Sequence, residues 1–160
     1  MSAELAGALL RELEYTLASA ESLTGGSVGA AITSVPGASD YYAGGVIAYS
    51  PYIKTKLLGV SRDTLAEHGV VSTRTATEMA AGVKELFEVS VGVATTGVAG
   101  PDPLDGLPPG TLCVAVADPF GTEAVQLSGP AGDRAAVTSW ATERALVLLI
   151  RRLQAARVAR

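Results

Sequence analysis

Cysteine is almost missing from this chain: Cys113 is the one example in 160 residues. That count excludes an internal disulfide scaffold and a cysteine-based metal cluster. With a single histidine, His68, and scattered acids, a structural zinc site is excluded too, and no metal is expected. Cys113 lies in the apolar run 111–116 and reads as a small buried hydrophobe rather than a nucleophile. Charge is also scarce, at 18% of residues with a net of −4, and aromatics are 5%. There is no Lys/Arg block to track a phosphate backbone and little to stack on bases, so nucleic acid is excluded as a partner. The four arginines within 151–160 read as a frayed basic terminus. No uninterrupted apolar run of about 18 residues occurs and no signal-peptide pattern precedes the first polar residues. The expectation is a cytoplasmic protein with no membrane contact.

Hydrophobic residues make up 48% of the chain, with 18 glycines and 8 prolines, the composition of a compact body with many tight turns. The length suits a single domain, 1–160, with a core over about 5–153. Leu5, Leu9, Leu10 and Leu13 form one helical stripe over 2–14. A strand is expected at 15–20, then a small-residue junction and a helix to about Thr33, closed by a turn at 36–39. Next come a strand over 44–50, a helix over 51–58 opened by Pro51, and a short helix from Ser61 to Glu67 closed at His68-Gly69. Ser72 caps a long helix to Phe87, with Ala76, Met79, Ala80, Val83, Leu86 and Phe87 as its inner face. A near-continuous apolar strand fills 89–95, which implies a sheet covered on both faces. Strands at 111–117 and 122–128 form a hairpin, 129–132 is a turn, and a final helix runs from Asp133 to about Leu153. The sum is a three-layer α/β/α sandwich with a mixed sheet.

Three segments follow expected strands: 19–26, 50–54 and 95–101. In open α/β sheets ligands collect beyond the carboxyl ends of the strands. The groups placed there are Ser22, Thr24, Tyr49, Ser50, Lys54, Thr96 and the amides of 97–100. Gly25 and Gly26 remove side chains that would hold a ligand off the backbone, and a helix N-terminus favours an anion or developing oxyanion. Ser22 or Thr24 could equally be an ordinary helix cap. Lys54 and Lys56 are two apart and point in different directions. The set holds a hydroxyl nucleophile and a possible base but no His/Asp pair, so covalent hydrolysis would use a Ser–Lys variant. It is not a P-loop or a dinucleotide-binding turn, because neither glycine-rich segment has the Gly-Lys-Ser/Thr or G-x-G-x-x-G pattern. Lys54 and Arg134 could supply charge to a phosphate-bearing ligand. His68, beside a helix-ending glycine, reads as a surface residue. Four of five tyrosines, Tyr41, Tyr42, Tyr49 and Tyr52, cluster in 39–52, suited either to a contact between copies or to a satisfied core.

At these residues the chain resembles a known family. Ala20-Glu-Ser-Leu-Thr-Gly-Gly26 is similar to the A-E-S-x-T-G-G signature of the CinA carboxy-terminal domain, the PncC-type nicotinamide-nucleotide amidases, here in stand-alone form. Matching blocks follow in family order: Gly44 to Ser50, Lys54, Leu57 to Val60, Glu67 to Ser72, Thr96 to Pro101, Gly110-Thr111 and Gly132-Asp-Arg134. The resemblance implies hydrolysis of nicotinamide mononucleotide to nicotinate mononucleotide and ammonia, without cofactor, by a protein that commonly dimerises. It implies Ser22 as nucleophile, Lys54 as base and Tyr49 near the pair. Thr24, Gly25, Gly26, Ser50, Thr96, Gly97, Ala99, Gly100 and Arg134 would line the site for a small nucleotide substrate. The ADP-ribose pyrophosphatase activity linked to the fused domain of longer CinA proteins is not carried over. The chain departs from the family pattern at Leu23, often cysteine, at Thr96, often serine, and in the loop 102–109, where a lysine is common. At Thr138 the family commonly has arginine, so one guanidinium for a phosphate is missing.

Overall fold

The computed structural model describes residues 1–130 and 132–160. Helix α1 (Ser2–Leu13) leads into β1 (Leu17–Glu21), α2 (Ser27–Thr33), a 3₁₀ turn (Ala38–Asp40) and β2 (Tyr42–Ile47). Then come α3 (Pro51–Leu58), α4 (Arg62–His68), α5 (Thr73–Phe87), β3 (Val91–Gly97), the hairpin β4 (Thr111–Asp118) and β5 (Gly121–Ser128), and α6 (Arg134–Val158). The five strands stand in the order β2-β1-β3-β4-β5. β1 pairs parallel with both neighbours, whereas β3–β4 and β4–β5 are antiparallel. The sheet is therefore mixed, with helices on both faces. The turn expected over 129–132 includes Ala131, outside the described residues.

The faces differ in side-chain size. In β4, Leu112, Val114 and Val116 join α1, α2 and α6 in one core, whereas Cys113, Ala115 and Ala117 join α5 in the other. Alternation of period two sends large residues one way and small ones the other. On the small side α5 comes very close to the sheet: a Cβ at Gly92 would lie 2.2 Å from the Ala80 carbonyl oxygen. A Cβ at Gly82 would lie 1.8 Å from the Leu58 carbonyl oxygen, so only glycine lets α5 press against the end of α3. That contact seats α3 against α5, from where its Lys54 reaches the residue that follows β1.

Several expectations need correction. In α1, Ala6 and Gly7 are buried with Leu9, Leu10 and Leu13, while Leu5 is exposed, because the packed stripe is rotated round the helix from the leucine pattern. Leu86 of α5 is likewise exposed. The basic carboxyl end is not frayed: α6 continues to Val158. Its arginines are used. Arg152 grips Asp118 with Nε and Nη2, both at 2.8 Å, Arg151 meets Glu123, and Arg157 lies 3.5 Å from Glu12. The tyrosines divide. Tyr41 is buried and Tyr42 bonds Ser19 at 2.7 Å, leaving Tyr49 and Tyr52 on the surface.

Candidate active site

From β1 the chain runs to its neighbour β2 through α2 on one face, and from β2 it crosses back over β1 to β3 through α3, α4 and α5 on the other. The carboxyl end of β1 is thus a topological switch point, where a crevice opens. Ser22 follows directly, its amide donating to Thr95 O at 3.0 Å, and the Ala48 amide donates to Glu21 O at 2.7 Å. These bonds carry the sheet one residue further and hold Ser22 and Ala48 side by side.

Lys54 enters this corner from α3. Ser50 caps the helix by accepting from the Ile53 amide, and Pro51 pre-sets its first turn. Lys54 Nζ donates to Ser22 Oγ at 2.9 Å and to Ala48 O at 2.7 Å. Both side chains are nearly dry, Lys54 at 2% and Ser22 at 8% exposure. Burial pulls the Lys54 ammonium down from its usual range to about 8, with no carboxylate to hold the charge. A free amine is thereby accessible near neutral pH beside a serine hydroxyl. Lys56, by contrast, lies over the Tyr52 ring at 5.4 Å on the outer side of α3.

A cavity of about 510 Å³ opens over the pair, walled by Leu23, Val70, Val71, the stretch 96–104 and Arg134. Ser22, Lys54, Tyr49, Thr96, Gly97, Ala99, Gly100 and Arg134 all line it. Two of these sit differently from expectation. Tyr49 is at the mouth, 58% exposed, and its hydroxyl accepts from Arg134 rather than meeting Ser22 or Lys54. Thr96 turns its hydroxyl to Val70 O at 2.7 Å, fastening the loop after α4.

Thr24, Gly25, Gly26 and Ser50 do not line the cavity. Thr24 is buried beneath it, bonded to Glu21 and Thr95 at 2.7 Å each. Gly25 and Gly26 serve positive φ angles of 57° and 103° in the turn into α2. Ser50 is occupied as the α3 cap.

The expected anion site at the start of α2 is filled from within. Glu21, 3% exposed, accepts from the Val28 amide at 2.8 Å and the Gly29 amide at 3.0 Å. An internal carboxylate thus satisfies the orphan amides and the dipole that a ligand would otherwise meet. Glu21 was missed as a candidate; the available signal was an acid at the strand end six residues before a helix start. Gly25-Gly26-Ser27-Val28-Gly29 has the letters of a nucleophile elbow. Ser27, however, begins α2 and faces a groove between α2 and α6, together with Thr138. The apolar wall residues Val70 and Val71 were not named as site residues, although they fall in the family-like block Glu67 to Ser72.

No helix is long and apolar enough to cross a membrane among the described residues, and no group of three metal-ligating side chains occurs among them.

Comparison with known proteins agrees along most of the chain. The CinA C-terminal domain model matches residues 1–153. A CinA-like protein of Solibacter usitatus is 45% identical over 148 residues, covering 92% of this chain and 35% of that protein. The chain spans about a third of the length of the curated relatives it matches. Among solved structures, a competence-damaged protein (CinA) superfamily protein from Enterobacter cloacae is 34% identical with a TM-score of 0.90, covering 96% of this chain and 92% of its own. A competence or damage-inducible protein from Enterobacter asburiae is 31% identical with a TM-score of 0.91, covering 96% and 98%. With the family signature placed at the switch point of the same fold, this chain belongs to the CinA C-terminal domain family.

Proposed function

We propose that the chain is an amidohydrolase that cleaves the carboxamide of nicotinamide mononucleotide to nicotinate mononucleotide and ammonia. The observation that carries this reading is the buried contact between Lys54 Nζ and Ser22 Oγ. An amine held dry there, with its pKa lowered to about 8, is suited to take the Ser22 proton.

In the working form Lys54 is unprotonated, one N–H on Ala48 O and its lone pair toward Ser22. Lys54 accepts the Ser22 proton as Oγ bonds to the carboxamide carbon, and the carbonyl electron pair moves onto oxygen. The amides of Leu23, Ala99 and Gly100, cavity-lining and without a backbone acceptor among the described residues, are candidates to hold that oxyanion. The intermediate collapses, the C–N bond breaks, and Lys54 returns the proton to the departing nitrogen, releasing ammonia. Water then adds to the Ser22 ester, giving its proton to Lys54, and collapse frees the carboxylate and restores Ser22. Arg134 at the mouth is suited to the substrate phosphate, exchanging Tyr49 and Gly100 O for phosphate oxygens.

A second reading, nucleotide binding without turnover, draws on the same wall. Arg134 is the one guanidinium among the described cavity-lining residues, and Thr138 lies in the neighbouring groove. Ammonia release from nicotinamide mononucleotide by purified protein decides between them. The expectation is turnover that Ser22→Ala reduces by about a thousandfold or more. Its kcat/KM should rise about tenfold per pH unit up to about 8 and level above it, as Lys54 loses its proton. Calorimetric binding of the nucleotide with no ammonia released would favour the second reading.

A further inference from the structure

The proposed reaction leaves one charged residue of the cavity without a role. Asp102 lines the wall just past Pro101, at the start of a loop tied back on itself by paired Leu104–Leu107 backbone bonds. Arg134 lines the same cavity, yet its guanidinium is taken by Gly100 O at 2.5 Å and by Tyr49, not by Asp102. Among the described residues Asp102 forms no ion pair. Much of the rest of the wall is apolar, with Val70, Val71, Val98 and Leu104.

The ionisable groups lining the cavity are Lys54, Tyr49, Asp102 and Arg134. Once Lys54 is neutral, the formal charges that remain are one negative and one positive, unpaired with each other. Such a wall favours a ligand whose own charges are separated, with a cation for Asp102 and an anion for Arg134. A neutral carboxamide gains nothing from it. We propose that Asp102 is a specificity residue that selects carboxamides borne on a positively charged ring, an N-alkylated pyridinium, over neutral aromatic carboxamides. This assigns a specificity role to a residue of the proposed site and rests on reading the cavity as the place where the amide binds. Because Asp102 is exposed, the preference is modest, about fivefold, the scale of a solvent-accessible ion pair. It is electrostatic and therefore weakens with salt.

The test is a ligand-observed NMR titration of 1-methylnicotinamide and nicotinamide against the Ser22→Ala protein, with and without Asp102→Asn. Ser22→Ala prevents turnover during the titration. The measurement is made near pH 9, above the Lys54 value of about 8. Asp102→Asn changes a loop carboxylate to its isostere, and a thermal melt checks that both proteins are folded. The expected result is that the cation binds about fivefold more weakly after Asp102→Asn, that nicotinamide is unaffected, and that the difference vanishes in about 0.5 M salt. Equal changes for both ligands would overturn the proposal. So would no change for either, or no preference for the cation before the substitution. Failure of nicotinamide mononucleotide to release ammonia from the unsubstituted protein would count against the amidase reading alone, since charge selectivity in binding is scored separately.

Discussion

The two ends of the sheet treat a buried charge in opposite ways. At the carboxyl end of β1, Lys54 is 2% exposed and has no carboxylate; burial alone acts on it and lowers its pKa to about 8. At the far end, closing β4, Asp118 is 4% exposed and receives Arg152 through two bonds of 2.8 Å, with the Phe120 amide as a third donor. The Asp118 hydrogen bonds push the Arg152 pKa up rather than down. A paired charge is silent chemically, and losing either partner would strand the other in the fold. An unpaired amine held dry costs stability, and that cost is what makes it a base. One end of the molecule is structural and the other is reactive, although both are buried polar groups.

That contrast can be broken by substitution. The largest effect expected is on turnover: Lys54→Met removes the base and should lower ammonia release by about a thousandfold or more, measured at saturating nucleotide. Retention of most of the activity would make Lys54 a structural residue like Arg152.

Next in size is the far end. Arg152→Met strands the Asp118 carboxylate and should destabilise the fold by about 3 kcal/mol or more, read from chemical denaturation. Ammonia release at room temperature should be unaffected, because Asp118 and the cavity lie at opposite ends of the strands. A loss of activity in the still-folded variant would show that the two ends are coupled.

A smaller effect, of opposite sign, belongs to Lys54 itself. Its folded pKa is depressed, so the native state binds fewer protons than the unfolded chain between about 8 and about 10.5. The stability of the unsubstituted protein therefore falls as pH drops from about 10.5 to about 8, and stays at the lower level below that. Lys54→Met, free of this penalty, should be more stable at pH 7 by about 2 kcal/mol, with the advantage shrinking toward pH 10.5. Denaturation curves across that range supply the check; a variant less stable at every pH would mean that the bonds to Ala48 and Ser22 outweigh desolvation.

The smallest expected change sharpens the comparison along one helix. Lys56→Ala, two residues from Lys54 but on the outer side of α3, should alter both stability and turnover little, within about 0.5 kcal/mol, in the same two assays.

Much of this was legible from the chain alone. Periodicity marked the helices and strands, Pro51 and Ser72 marked helix starts, and the small-residue junctions marked where strands end, because these are local preferences of the backbone. The candidates Ser22 and Lys54 could be named, since strand-to-helix junctions fall at the carboxyl ends of strands whatever the details. Whether they touch was decided by tertiary structure. The 2.9 Å contact depends on α3 being seated against α5, which rests on Gly82 pressing against Leu58, a relation between residues far apart in sequence. The same holds for what was misread. Thr24 and the start of α2 had the letters of an anion site, but a buried Glu21 already occupies those amides. The arginines after Leu149 read as a loose tail, yet Asp118, Glu123 and Glu12 wait for them across the fold. Local sequence states which groups can bond; only packing decides which partner arrives first and whether water is left to compete.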